Sequence, residues 1–181
     1  MKSCTATLLA LSLVCASAPP AAAQPPAVSE YQVKAAYLVN FARFVEWPAD
    51  DAAPFAMCVL GADPFGAVLD ATVADVTVRG RRAVARRVAS PADADGCRVL
   101  FISASETTRL EAILTSLDRR AVLTVSDMPQ FARRGGMIQF VNDGDRVRFE
   151  VDLDPAQAVG LTVSSNLLRV ATVVRPAGRP R

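Results

Sequence analysis

Histidine is absent from the 181 residues. Without an imidazole, Ser/His and Cys/His catalysis and every His-ligated metal site are excluded, because nothing remains to shuttle that proton or bind that ion. Lysine is nearly absent as well: Lys2 and Lys34 are the two copies, so amine chemistry in the body of the chain has one candidate. No charge of one sign dominates. Twenty Lys and Arg stand against 18 Asp and Glu, a balance that gives no reason to expect nucleic acid as a partner. The chain also lacks a phosphate loop: Gly61-Ala62-Asp63-Pro64-Phe65-Gly66 has neither the G-x-G-x-x-G spacing nor a Walker lysine. The paired carboxylates Asp50-Asp51 and Asp143-Asp145 are too sparse for calcium and sit in turn-like sequence. No cofactor and no metal are expected, and the residues are poorly suited to catalysis.

Long apolar runs are missing too. Thr7–Ala18 is the apolar core of the N-terminal segment, well short of the roughly 20 residues that span a bilayer. It follows Met1-Lys2 and precedes Ala21-Ala22-Ala23, the pattern of a cleavable export signal. Residues 1–23 are therefore expected to be removed, leaving an exported protein that is not membrane-inserted. Val14 before Cys15 does not fit a lipid-anchor site. Cys58 and Cys97 are then the two cysteines left, and in an oxidising compartment they read as one structural disulfide. The alternative is a pair of buried thiols. C-x-x-C spacing, which a redox-active pair would want, is absent.

The 51% hydrophobic content is ample for a packed core and predicts one domain over residues 24–174. Ser29 with Gln32 forms a capping box, and Val33, Tyr37, Phe41, Phe44 and Val45 are read as the apolar stripe of a first helix ending near Trp47. Phe55–Leu60, Val99–Ile102 and Val122–Val125 are unbroken apolar runs that suit buried strands. A further strand is expected near Val84–Val88 after an irregular stretch broken at Gly80. Helices are expected from Asp63-Pro64, through Leu110–Leu117, over Met128–Arg134, from Asp154-Pro155, and from Ser164 or Ser165 to about Ala171. Met137–Val141 and Arg146–Leu153 flank a hairpin-like Asn142-Asp143-Gly144-Asp145. The pattern predicts an α/β fold: a single Rossmann-like domain with a mainly parallel sheet covered by helices on both faces, and a late antiparallel hairpin. Residues 175–181 are expected to form a loose tail.

Ligands in such sheets sit beyond the carboxyl ends of the strands, which singles out Asp63, Ser103, Ser105, Ser126 and Asp127 as a pocket for a small polar ligand. The same residues also read as helix caps and turns. Five arginines from Arg79 to Arg87 form a basic cluster. It is read as a charged edge strand or as a surface for an acidic protein or anionic headgroups, with Arg86 and Arg87 the candidates. Phe44 and Trp47 are either core or an interface anchor.

Several ordered strings carry a resemblance. Tyr31-Gln32-Val33-Lys34-Ala35-Ala36-Tyr37-Leu38 runs into Asn40-Phe41 and Phe44-Val45-Glu46-Trp47-Pro48. Cys58-Val59-Leu60-Gly61, Asp63-Pro64-Phe65-Gly66 and Val99-Leu100-Phe101-Ile102-Ser103 follow. Leu123-Thr124-Val125-Ser126-Asp127, Gly135-Gly136-Met137-Ile138, Gly160-Leu161 and Ser164-Ser165 with Leu167-Leu168 complete the series. Together, over about Tyr31 to Val174, they resemble the YfiR family. The resemblance implies a periplasmic, non-enzymatic Rossmann-like domain that tends to form a homodimer. It implies binding to the periplasmic part of an inner-membrane diguanylate cyclase, which is held inactive so that less cyclic-di-GMP is made and motility is favoured over biofilm. For some relatives the partner is a sensor histidine kinase. Cys58 and Cys97 fall at a structural disulfide of the family, while a second cysteine pair found in some members is missing. Asn166 stands where Lys or Arg is common, which bears on a partner contact there. The alternative function is a periplasmic small-molecule binding protein using the strand-end pocket.

Overall fold

The structure, a computed structural model, describes residues 29–48, 53–144 and 146–174. The expected export signal, the expected tail and the pair Asp50-Asp51 lie outside these residues. In chain order the elements are α1 (Glu30–Phe44), β1 (Val45–Glu46), β2 (Phe55–Leu60), α2 (Ala67–Val73), β3 (Thr77–Val78) and β4 (Arg81–Val88). A 3-10 turn over Pro91–Ala94 leads to β5 (Cys97–Ile102), and another over Ala104–Arg109 runs into α3 (Leu110–Ser116). Then come β6 (Leu123–Ser126), a 3-10 turn over Ala132–Arg134, β7 (Ile138–Asp143) and β8 (Arg146–Val151). The series ends with α4 (Leu153–Ala158), β9 (Thr162–Val163), α5 (Ser165–Leu168) and β10 (Thr172–Val173).

Eight strands form one sheet in the order β10-β8-β7-β6-β5-β2-β4-β3. The stretch from β4 to β7 is parallel. β7 and β8 pair antiparallel from Ile138↔Val151 to Asp143↔Arg146. β1 and β9 make a separate two-stranded ribbon. Every residue of β2 is buried, because side chains alternate between two covered faces. Phe55, Met57, Val59, Val99 and Phe101 pack with Leu38 and Phe41 of α1 and Leu69 of α2. Ala56, Cys58, Leu60, Leu100 and Ile102 pack with Leu110, Ile113 and Leu117 on the α3 side. The fold is a mixed α/β domain with a core on each face of the sheet.

The capping box forms as predicted: the Gln32 N–H donates to Ser29 Oγ at 3.2 Å, and the Ser29 N–H donates to Gln32 Oε1 at 2.6 Å. The inward face of α1 differs from the reading. It is Lys34, Ala35, Leu38, Val39, Phe41 and Ala42, while Phe44 is 38% exposed. A stripe built from apolar letters alone skips the lysine and so rotates the helix. The Asp63 carboxylate caps an isolated turn, accepting from the Phe65 N–H at 2.8 Å. α2 begins three residues after Pro64, behind Gly66. In α4 the cap is Asp152, whose side chain accepts from the Asp154 N–H. Pro155 then occupies the first turn, where no intrahelical donor is needed. The helix expected over Met128–Arg134 reduces to turns and a short 3-10 segment ended by Gly135 at φ 99°. The irregular stretch before Gly80 is the short strand β3. Arg79 and Gly80 both have positive φ and join Val78 to Arg81 in a two-residue hairpin turn. The edge strand β10 carries too few residues for any periodicity to mark it.

Candidate functional site

The chain reverses direction across the sheet at β2: α2 carries it outward to β4, and the following turn returns it to β5 on the other side. The crevice such a reversal opens is the usual place for a ligand. Here the protein's own side chains fill it. Gly61 follows β2 with φ 89°, and a Cβ there would lie 2.5 Å from Ser105 Oγ and 2.8 Å from Glu106 Cγ. The Ala62 N–H donates to Ser105 Oγ at 2.9 Å, and the Ser103 N–H donates to the Leu60 carbonyl at 2.9 Å.

The other predicted pocket residues are drawn elsewhere. Asp63 accepts from Arg87 Nε at 2.8 Å, and the same guanidinium reaches Asp70 Oδ1 at 2.7 Å and the Gly66 carbonyl at 2.6 Å. That contact with Arg87 holds the Asp70 carboxyl below its ordinary value. Ser126 is fully buried. Its hydroxyl donates to the Ile102 carbonyl at 2.6 Å and accepts from the Met128 N–H at 3.0 Å. The five residues therefore fall into three groups, around the end of β2, beside β4, and at the end of β6.

The third group holds the most concentrated polar chemistry. Asp127, immediately beyond β6, accepts from Lys34 Nζ at 2.7 Å and from the Tyr31 hydroxyl at 2.9 Å. Lys34 also pairs with Glu30 at 2.6 Å, and Asn142 donates to Glu30 at 3.2 Å. Glu30, Lys34, Asp127, Phe140 and Asn142 line a hollow of about 190 Å³. Burial alone would lower the Lys34 pKa, but hydrogen bonds to Asp127 and Glu30 outweigh it and raise the pKa above 10.5. Glu30 titrates below its ordinary value through Lys34 and then Asn142. Tyr31 is raised, first by burial and then by Asp127. Lys34 is thus held as a cation, which makes it a poor nucleophile and a strong tie between α1 and the ends of β6 and β7. The sequence reading treats Lys34 only as a candidate amine and leaves Tyr31 and Glu30 unassigned. The available signal was the spacing of Lys34 one turn before Leu38, on the face that Tyr31 begins.

Cys58 and Cys97 form the predicted disulfide, in the core beneath α3. The residues weighed as partner contacts have different surroundings. Trp47 is buried and meets Phe55 edge to face at 5.2 Å. Arg86 donates to the carbonyls of Asp93 and Asp95, and Arg87 is held in the carboxylate cluster above. Phe44 is exposed, and its carbonyl accepts from the Ser164 N–H at 2.9 Å, which sets α5 and the exposed Asn166 beside it. Among the described residues the exposed large hydrophobics are Phe44, Val170 and Val173. They sit at the end of α1, just past α5, and in β10.

Among the described residues no helix is long and apolar enough to cross a membrane, and no cluster of candidate ligands could hold a metal ion. The fold is similar to the crystal structure of a conserved domain protein from Vibrio cholerae O1 biovar El Tor strain N16961, with a TM-score of 0.58 and 11% identity. The match covers 81% of this chain and 60% of the Vibrio chain, and at that identity it shows shared architecture alone. The sequence profile of the YfiR/HmsC-like family matches residues 31–172. That span begins at Tyr31 of the α1 charge cluster and ends in the edge strand β10, and the chain belongs to the YfiR/HmsC-like family.

Proposed function

We propose that the protein is a periplasmic, non-enzymatic regulator. It binds the periplasmic sensor domain of an inner-membrane diguanylate cyclase, or of a sensor kinase, and holds that enzyme inactive, lowering cyclic-di-GMP output. The observation that carries this reading is membership of the YfiR/HmsC-like family across residues 31–172. In the structure itself, Lys34 is paired with carboxylates, and the crevice at the end of β2 is filled by Ser105 and Glu106.

The docking residues in this reading are the exposed Phe44, Val170 and Val173, with the exposed Asn166 of α5. An exposed aromatic or aliphatic side chain is the kind of group that anchors a partner. Release on a signal requires that signal to favour one conformation over another.

The test is in-cell crosslinking of the tagged protein, with mass spectrometry of what it captures from the inner membrane. A diguanylate cyclase or a sensor kinase is expected, and Phe44→Asp with Val170→Asp is expected to lose it while retaining the native melting temperature. Capture of neither, or capture unchanged in that double variant, refutes the partner or the surface respectively.

A further inference from the structure

A second concave surface lies at the opposite end of the sheet from the Lys34 cluster, where β6 and β7 begin. It is a groove of about 420 Å³ between α3 and α4, within the size range of small-molecule sites. Its floor is apolar: Leu114, Leu117, Val122, Met137 and Val159. Leu117, Val122 and Met137 are each 6% exposed or less, so the floor is recessed. Glycine shapes one wall. Gly135 turns the chain at φ 99°, and Gly136 packs so tightly on Phe131 that a Cβ would lie 2.1 Å from its ring. Met137 is held in place through its N–H, which donates to Thr124 Oγ1 at 3.1 Å inside the core.

The rim is charged and unbalanced. Glu111, Leu114, Thr115 and Asp118 lie at i, i+3, i+4 and i+7, one face of α3 and its following turn, and all four line the groove. Glu111 and Asp118 are exposed, and neither forms an ion pair among the described residues. The cation on the far wall, Arg134, donates to the Thr107 carbonyl at 3.3 Å. A recessed apolar floor beneath two carboxylates and one engaged arginine has a net negative mouth.

We propose that this groove binds a small amphipathic organic cation. The apolar body lies on Leu114, Val122, Met137 and Val159, and the ammonium group is held by one rim carboxylate, that of Glu111 or that of Asp118, which stand about two helical turns apart. The site is independent of the regulatory reading above and uses none of its docking residues.

The experiment is calorimetric titration of the full chain with 4-phenylbutylamine, using 4-phenylbutanol and 4-phenylbutyrate as neutral and anionic controls. The amine is expected to bind saturably and the alcohol about tenfold more weakly, the size of one charge-assisted hydrogen bond. The acid is expected to be weaker still. Glu111→Gln with Asp118→Asn, both at exposed positions, is expected to bring the amine down to the alcohol's affinity. Val159→Trp, which fills the groove from its half-buried edge, is expected to abolish binding of both, with the melting temperature of each variant confirming that it folds. Equal binding of all three probes overturns the proposal. So does amine affinity unchanged in the carboxylate variant or in Val159→Trp, and so does the absence of saturable amine binding up to millimolar concentration.

Discussion

Lys34 shows how one side chain can be at once a liability and a fastener. Its side chain is 3% exposed and the charge would be costly there alone, yet Asp127, Glu30 and the Tyr31 ring, 4.5 Å from Nζ, surround it. Lys34→Met leaves the Asp127 charge, on a side chain only 15% exposed, without its cation. A loss of about 3 kcal/mol is expected, the lower end for breaking a buried pair, read from the urea midpoint. Adding Asp127→Asn is expected to restore part of it, a coupling that a double-mutant cycle measures. Glu30→Gln is expected to cost about 0.5 kcal/mol or less, because that carboxylate is 43% exposed. The same cluster sets a pH response. The Glu30 pKa is lower folded than unfolded, so its stabilisation is present above 4.5 and fades as pH falls through the lowered value. Lys34 is shifted upward, so its contribution holds below 10.5 and is lost as pH rises beyond. Urea midpoints measured across that range, for wild type and Glu30→Gln, are expected to converge on the acid side. The lysine itself was legible in the sequence; its partner 93 residues away was not, since only folding joins them.

At the scale of elements, a single irregularity places the disulfide. Met57↔Val99 and Cys58↔Leu100 pair in register, but Ala56 faces Cys97, so Arg98 is an extra residue. Without that bulge, period-2 alternation would send Cys97 to the α1 face. With it, Cys97 joins Cys58 under α3. A loop of 39 residues is thereby closed, worth up to about 4 kcal/mol by chain entropy. Cys58→Ala with Cys97→Ala is expected to lower stability by that amount or less and to weaken capture of the proposed membrane partner. Unchanged melting and unchanged capture together would separate the bridge from both roles. Gly61→Ala tests the filled crevice. The added methyl meets Ser105 Oγ at 2.5 Å on a backbone with positive φ, so a cost of about 2–3 kcal/mol is expected, measured by thermal unfolding. Buried strands such as Phe55–Leu60 were readable from their letters because unbroken apolar runs have few other uses. The starts of α2 and α4 were displaced because Asp-Pro reads as a cap, while Asp63 and Asp152 each compete for nearby N–H groups that only the folded turn arranges.

For the whole molecule, the question is which surface remains to meet a partner. Both ends of the sheet carry two-residue strands, β3 and β10, and short edges resist open-ended pairing between copies. The exposed edge of β4 beyond β3 bears Arg86 and Arg87, both engaged by their own chain. Among the described residues the exposed large hydrophobics are Phe44, Val170 and Val173, the docking residues proposed above. Introducing Asp there is expected to abolish partner capture in crosslinking while shifting the melting temperature by less than about 2 °C, since exposed positions away from the core change stability little. Composition, periodicity and caps determined locally what each segment could become: absent histidine removed whole classes of chemistry, apolar runs became buried strands, and Ser29 with Gln32 began the first helix. Those properties depend on neighbours a few residues away, so a linear reading reaches them. Only the tertiary structure decided that Lys34 meets Asp127, that Arg98 bulges and brings Cys97 beneath α3, and that Ser105 closes the crevice at Gly61. Each of these depends on the register between strands and on which face a helix turns inward, quantities set by packing energies summed over the entire core.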